Sequence, residues 1–197
     1  KMFATVQMNY NNPYDVRLFK SIDGGITWQD TGKQGMYIGI SSNGNSMIVV
    51  PQANYSSFTV DGGASWTELT KTSLALNLYL DADPFGEKVA VSGDGNTFVF
   101  VSRAGTFISN NKFQTWVRFP RKFLSVNSIS LSDDGQIIAM IGDVGLLNLS
   151  MDGGITWTQQ DIPGVMTTGP GNVVVSPDGK KITLTKGMSE IYTADIP

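Results

Sequence analysis

The sequence predicts an all-β fold made from one repeated antiparallel unit. Two short motifs recur through the 197 residues and alternate with each other. The segments between them are strand-length runs of alternating or β-branched residues, bounded by Gly, Asn, Asp and Pro. No segment holds apolar residues at helical spacing long enough for a helix.

The first motif occurs four times without gaps, at Ser21 to Trp28, Thr59 to Trp66, Ser109 to Trp116 and Ser150 to Trp157. Its pattern is Ser/Thr-x-Asp/Asn-x-Gly-x-Thr/Ser-Trp, and all 4 tryptophans of the chain stand at its last position. The Asp side chain can accept backbone N–H bonds across its own turn. The Gly relieves a position where a Cβ would clash. The Trp is expected to start the next strand and to bury its ring against the hairpin and the neighbouring unit. Asp23, Trp28, Asp61, Trp66, Asn111, Trp116, Asp152 and Trp157 are therefore read as structural. The third copy has Asn111 for Asp and Phe113 for Gly, and a different, looser turn is expected there.

The second motif, apolar-Ser-x-Asn/Asp-Gly, ends at Gly44, Gly95, Gly135 and Gly179. Asn-Gly and Asp-Gly pairs are hairpin signals. The next Asp or Asn of the first motif follows at intervals of 17, 16, 17 and 16 residues, the last being Asp195, which marks the start of a fifth copy. Between the turns, Ser46 to Val50, Thr97 to Val101, Gln136 to Ile141 and Lys181 to Thr185 read as strands. One complete unit is four strands, A to D, with the second motif joining A to B and the first joining C to D.

The first motif resembles the Asp-box, or BNR repeat, of β-propellers, over about Lys20 to Asp195. Families that share it include sialidases, the sortilin ectodomain, photosystem II assembly factors of the YCF48 type, fungal lectins, and proteins of phages and large viruses. The resemblance implies a propeller of four-stranded blades and no single activity. Units two to four are complete. The N-terminal unit has B (Met2 to Met8), C (Val16 to Ile22) and D (Ile26 to Asp30). The C-terminal unit has A (Val173 to Ser176), B (Lys181 to Thr185) and C (Glu190 to Ala194). The expectation is one five-bladed propeller domain over 1–197, with mostly four-stranded blades, Asp-box C–D hairpins and incomplete terminal blades, at about 1–32, 33–70, 71–120, 121–160 and 161–197. An arc cut from a six- or seven-bladed ring is the alternative. The chain starts with Lys, which reads as a processed or excised piece of a larger protein.

Composition removes several chemistries. With no Cys there is no disulfide, thiolate nucleophile or zinc–thiolate site, and with no His there is no Ser-His-Asp triad or imidazole ligand. The net charge of −3 and the single small basic cluster, Arg118, Arg121 and Lys122, argue against a nucleic-acid partner. Apolar runs such as Ile137 to Ile141 fall far short of the ~20 residues that span a bilayer, so no membrane insertion is expected.

In a four-stranded blade the B–C and D–A loops share the face opposite the boxes. Those loops are Asn9 to Asp15, Pro51 to Ser56, Lys71 to Lys88, Val117 to Ser125 and Thr158 to Asn172. Aromatic rings stack on sugar faces and amides read hydroxyls. The candidate binding residues are accordingly Tyr10, Asn12, Tyr14, Tyr55, Tyr79, Arg103, Arg118 and Arg121. Asp81 and Asp83 echo a calcium loop but lack its liganding spacing, so no metal and no cofactor is expected. Arg118-Phe119-Pro120 echoes the Arg-Ile-Pro motif of sialidases, yet it follows the third box, and the chain is shorter than a sialidase catalytic domain. The expected function is a non-catalytic recognition module that binds a host-surface glycan or protein receptor. It would belong to a viral or phage fibre or adhesin, at a virion or extracellular surface, in a parent protein that is a homo-oligomer. The alternatives are an assembly scaffold of the YCF48 type and a sialidase-like glycosidase.

Overall fold

The structure, a computed structural model, describes residues 1–51, 56–69, 88–102, 105–119, 126–142, 146–161, 171–186 and 190–196. These residues form five antiparallel sheets in chain order, and no helix is present among them. The first sheet is β1 (Met2–Asn9), β2 (Asn12–Ser21) and β3 (Gln29–Gln34). The second is β4 (Tyr37–Ile40), β5 (Met47–Val50), β6 (Ser57–Thr59) and β7 (Thr67–Glu68). The third is β8 (Lys88–Val91), β9 (Phe98–Ser102), β10 (Gly105–Ser109) and β11 (Val117–Phe119). The fourth is β12 (Val126–Leu131), β13 (Ile138–Gly142), β14 (Leu146–Ser150) and β15 (Thr158–Asp161). The fifth is β16 (Asn172–Val175), β17 (Lys181–Lys186) and β18 (Glu190–Asp195). Within each sheet every strand pairs with the next along the chain, so each sheet is a meander.

The core lies between sheets. Phe98 and Phe100 of β9 pack with Ile48 and Val50 of β5, whereas Val99 and Val101 pack with Ile138 and Met140 of β13. On β13 the alternate residues Ala139 and Ile141 pack with Val173, Val175, Ile182 and Leu184 of the fifth sheet. Strands buried on both faces need no polar face, which is why these two segments read as unbroken apolar runs. The end sheets differ. Val174 and Ile191 on the fifth, and Met2, Val6 and Met8 on the first, are exposed.

The A–B turns are alike in all four copies. In each, the serine hydroxyl donates to the Asp or Asn two residues on and accepts the N–H five residues on. For Ser92 the partners are Asp94 Oδ1 at 2.6 Å and Thr97 N at 2.9 Å. These turns also meet one another. Ser42 N donates to Gly93 O at 3.0 Å, Asp94 N to Asp133 O at 2.8 Å and Asp133 N to Pro177 O at 2.8 Å. Ser42 Oγ reaches past the third sheet's turn to Asp133 Oδ1 at 3.1 Å. A Cβ on Gly93 would lie 1.7 Å from that carboxylate oxygen, so a larger residue there would push the Asp133 carboxylate away from Ser42.

The boxes close the C–D hairpins by a shared set of bonds. In the first, Ser21 Oγ donates to Asp23 Oδ1 at 2.8 Å, and Asp23 accepts Thr27 N at 3.0 Å and Thr27 Oγ1 at 2.6 Å. Asp61 and Asp152 repeat the pattern with Ser65 and Thr156. Donation from the Thr or Ser hydroxyl, then from its N–H, holds all three carboxyls below the usual range. The third box is not looser. Asn111 Oδ1 accepts Thr115 N at 2.9 Å, its Nδ2 donates to Thr115 Oγ1 at 2.7 Å, and Phe113 N donates to Ser109 Oγ at 3.0 Å. Lys112 and Phe113 keep the left-handed backbone of the two glycines, at φ 53° and 68°. The expectation fails because burial of the Phe113 ring, described below, offsets the strain. The fifth copy begins in register: Ile196 N donates to Lys180 O at 2.8 Å, as Gly62, Lys112 and Gly153 donate to Asn45, Asn96 and Gln136.

Each tryptophan ends its box one residue before the D strand rather than opening that strand. Its indole folds over its own turn, Nε1 donating to Gly25 O at 3.0 Å for Trp28 and to Gly154 O at 3.1 Å for Trp157. The other side of the ring meets the preceding sheet. Phe119 packs edge-on to Trp157 at 6.3 Å, and Lys33 Nζ sits 5.9 Å from the Trp66 ring centre. Trp28, in the first sheet, stays 41% exposed.

Candidate functional site

The boxes and the Asn/Tyr segment occupy opposite ends of β2. Asn9 to Asp15 is not a loop: Asn9 pairs with Asn12, so only Tyr10 and Asn11 leave the ladder and Tyr14 lies within β2. The turn is tight because each asparagine serves its own backbone. Asn9 Oδ1 accepts Asn11 N at 2.9 Å and Asn12 Oδ1 accepts Tyr14 N at 3.1 Å. Asn12 is thus occupied in the turn, while Tyr10 is 97% exposed at its tip.

Arg118 lies elsewhere. Val117 to Phe119 form β11, the outer strand of the third sheet, where Arg118 pairs with Phe107 and holds its guanidinium 5.9 Å from that ring. Thr158 to Asp161 and Asn172 are likewise in strands, because they continue the ladders of β14 and β17. Tyr55, Tyr79, Arg103 and Arg121 lie outside the described residues, as do Asp81, Asp83 and Pro120. The structure therefore keeps Tyr10, Asn12 and Tyr14 on one hairpin and sets Arg118 two sheets away.

Below that hairpin a polar groove of about 370 Å³ runs between the first and second sheets, lined by Arg17, Asp30, Lys33, Pro51, Ser57 and Glu68, among others. Arg17 is its centre. Nε meets Asp15 Oδ1 and Nη1 meets Asp30 Oδ2, each at 3.3 Å. Those bonds, Asp30 first, raise the Arg17 pKa. Asp30 is itself held by Gly32 N at 2.8 Å, a glycine with left-handed backbone. That N–H, followed by Arg17, keeps the Asp30 carboxyl below its ordinary range, so it is an anion at neutral pH. The arrangement is a fixed cation between two fixed anions, with Lys33 and Glu68 further along, and it suits a ligand that carries both charges and amide groups.

Sequence reasoning missed this groove. Arg17 meets Asp30 across the β2–β3 pair of the first sheet, and only the packing of the second sheet brings Glu68 beside them. The Asp30-x-Gly32 turn was the readable signal. Among the described residues, no group of three or more carboxylates could hold a metal, and no helix is long and apolar enough to cross a membrane.

No protein-family model matches this sequence, and no curated protein matches it. Solved structures do. An ancestral GH74 enzyme aligns over 90% of this chain with a TM-score of 0.59 and 18% identity. YCF48 from Cyanidioschyzon merolae aligns over 91% with a TM-score of 0.55 and 15% identity. A structure of YCF48 bound to D1 peptide aligns over 86% with a TM-score of 0.54 and 16% identity. The chain has the fold of β-propeller proteins. It spans 28% of the GH74 enzyme and 64% and 56% of the two YCF48 chains.

Proposed function

We propose that the chain is a non-catalytic recognition module that holds a polypeptide segment of a partner protein in the groove between the first and second sheets. The observation that carries this reading is Arg17, fixed at 3.3 Å from both Asp15 and Asp30 in a polar groove of about 370 Å³. Prepositioned charges lower the ordering cost of binding and select a complementary segment. The Asp30 carboxyl, held below its ordinary range by Gly32 N–H and then Arg17, suits anchoring and not donating a proton, the task that glycoside hydrolysis sets one of its two carboxyls. The similarity in fold to YCF48, of which one structure is bound to a peptide, supports a protein partner. The scaffold alternative, of the YCF48 type, is thus preferred to the adhesin.

The five sheets are taken as five blades about a narrow axis. Support comes from Ser42 Oγ, which touches Asp133 of the sheet after next at 3.1 Å, a reach that a wide channel would prevent. An electron-microscopy average of the intact protein with more than five sectors would overturn the count.

A second reading keeps a glycan receptor at a virion or extracellular surface, with a homo-oligomeric parent. Its support is the Tyr10 ring, 97% exposed at a rigid turn and open to stacking on a sugar face. One experiment separates the two. A displayed library of random twelve-residue peptides and a glycan array are screened on the same protein, then on Arg17→Ala and Tyr10→Ala. Selected peptides that lose at least tenfold in affinity with Arg17→Ala support the groove. Glycan binding lost in Tyr10→Ala, with no peptide enriched, replaces it by the second reading.

A further inference from the structure

Strand pairing relates the first four sheets residue by residue. Met2 of β1 pairs with the box residue Ser21, as Met47, Phe98 and Ile138 pair with Thr59, Ser109 and Ser150. β1 is therefore the B strand of the first sheet, the counterpart of β5, β9 and β13, and β17 takes that place in the fifth. Each of those four B strands is paired on its inner edge with an A strand, namely β4, β8, β12 or β16. Among the described residues nothing pairs with that edge of β1. A strand position is thus vacant beside Met2 to Thr5, the residues that correspond to Met47–Val50. Met2 is 47% exposed where Met47 is 0%.

In the complete sheets the turn serine donates its N–H to the residue just before the B strand: Ser41 to Ser46 O at 2.9 Å, Ser92 to Thr97 O at 2.9 Å and Ser132 to Ile137 O at 3.0 Å. Lys1 holds that place in the first sheet. Antiparallel strands turn alternate residues towards each neighbour. Phe3 and Thr5 therefore aim their N–H and C=O at the empty edge, with Lys1 O beside them, while Met2, Ala4 and Val6 bond to β2. Gly95 and Gly135 rest against the turn serine of the preceding sheet, since a Cβ on either would lie 3.2 Å from that of Ser41 or Ser92. Gly44 has Lys1 and Phe3 beside it and, among the described residues, no such turn. The bonds between turns stop at the same place. Gly93 O, Asp133 O and Pro177 O each accept an N–H from the turn of the preceding sheet. Ser42 O is the equivalent acceptor, and no backbone N–H of the described residues reaches it.

We propose that the inner edge of β1 takes an extended segment of a partner polypeptide, which adds to the first sheet as its A strand. The four A strands of the molecule specify the occupant. Each leads into apolar-Ser-x-Asn/Asp-Gly and sets its last apolar residue, Ile40, Val91, Leu131 or Val175, opposite the first or second residue after the turn pair. A segment of that kind sets its last apolar residue opposite Met2, bonds through its backbone to Phe3 and Thr5, and offers a turn N–H to Ser42 O. β1 is open to such pairing, because its eight residues carry no charge and no proline, two devices that keep edge strands apart. β4, β8, β12 and β16 already lie side by side, so the added strand continues an interface that the molecule has. Main-chain bonds supply the affinity of strand addition and alternate side chains its selectivity. The site is separate from the Arg17 groove and does not depend on it.

The test uses the intact, nitrogen-15-labelled chain and a capped peptide with the sequence of residues 172–179, acetyl-Asn-Val-Val-Val-Ser-Pro-Asp-Gly-amide, followed by amide chemical shifts and hydrogen exchange. The control is the same peptide with Val174→Pro, which removes the N–H that would face Phe3. The expected result is a saturable shift of Phe3, Thr5 and Asn43, with slower exchange at Phe3 and Thr5, at least tenfold weaker with the proline peptide. In the protein, Thr5→Pro removes an N–H that serves the vacant edge and not β2, a place where an edge strand tolerates proline, and is expected to weaken the response about tenfold. The proline peptide leaves the protein unaltered, so the comparison decides the matter even where Thr5→Pro does not fold. An equal response to both peptides, or none, overturns the strand site. Shifts confined to Arg17 through Gln34 also overturn it while leaving the groove reading intact. A dimer in sedimentation that the peptide splits replaces the partner by a second copy of this chain and overturns the proposed occupant. The groove reading fails separately, when the peptide library yields no binder.

Discussion

Phe113 stacks on Phe58 with ring centroids 3.8 Å apart and planes at 22°, and it does so from a backbone position with φ 68°. Left-handed backbone costs a residue with a Cβ roughly 1–2 kcal/mol. Burying an aromatic ring among Phe58, Phe98 and Trp116 contributes more, since removing such a ring typically costs about 3–5 kcal/mol. Packing therefore retains the turn that two glycines set in the other boxes.

This balance makes an unusual order of stabilities. Phe113→Ala loses the ring and keeps the strain, and is expected to cost about 3–5 kcal/mol. Phe113→Gly loses the ring and relieves the strain, partly offset by the freer unfolded chain, and is expected to be less destabilised than Ala by about 0.5–1 kcal/mol. Lys112→Gly, at φ 53° and exposed, removes no ring and is expected to be neutral to stabilising by up to about 1 kcal/mol. Urea denaturation of the three variants checks the order. Alanine above glycine at position 113 would show that the turn carries no strain.

The tryptophans are expected to separate in the same assay. Trp157 Nε1 donates to Gly154 O at 3.1 Å, whereas Trp116 Nε1 is buried with no hydrogen-bond partner. Replacing indole by phenyl at 157 removes a bond and leaves a carbonyl less satisfied, at about 1–2 kcal/mol beyond the packing loss. At 116 it removes an unpaired donor, so Trp116→Phe is expected to be the milder of the two. Equal losses would mean that Trp116 finds a partner in solution.

The repeats made the sheets legible because each rests on local chemistry. Ser92, Asp94 and Gly95 lie within four residues of one another and close their turn unaided, and Asp61 meets Ser65 within its own box. The register of these turns places nearly every strand, and even Asp195 begins its box where the spacing puts it. The groove was not legible, since Arg17 and Asp30 meet across the irregular β2–β3 register and Glu68 reaches them only through the packing of a second sheet. Nor was the third box, whose retained turn depends on Phe58 and Phe98, distant in sequence. Calling Asn9 to Asp15 a loop weighed its polar residues above its pairing, and β2 in fact runs back to Asn12.

Acid is expected to loosen the boxes. Asp23, Asp61 and Asp152 titrate below the ordinary carboxylate value in the folded chain, chiefly through the hydroxyls of Thr27, Ser65 and Thr156. Groups with depressed folded values contribute stability that is present above the unfolded value, about 3.9, and is lost as pH falls towards the folded ones. Melting temperature should therefore vary little with these groups from pH 7 to about pH 5 and decline below about pH 4. Asn111 shows that an amide can close the same turn, so the triple change to Asn should flatten that decline. An undiminished acid limb in the triple variant would place the titrating groups elsewhere.

The A–B turns give the last test, because one hydrogen-bond pattern occurs at two depths. Ser132 is 0% exposed; its Oγ donates to Asp134 Oδ1 at 2.5 Å and accepts Ile137 N at 3.0 Å. Ser176 makes the same two bonds, to Asp178 at 2.6 Å and from Lys181 N at 2.9 Å, in a more exposed turn of the end sheet. Alanine removes both bonds in either place. Where water cannot enter, the abandoned N–H bears its full desolvation cost, about 1–3 kcal/mol; where it can, the net loss is about 0.5–1.5 kcal/mol. Ser132→Ala is thus expected to lower the urea midpoint more than Ser176→Ala at neutral pH. Equal midpoints would mean that water reaches the turn of the fourth sheet as readily as that of the fifth, and the inter-turn bonds from Asp94 to Asp133 and from Asp133 to Pro177 would then not seal it.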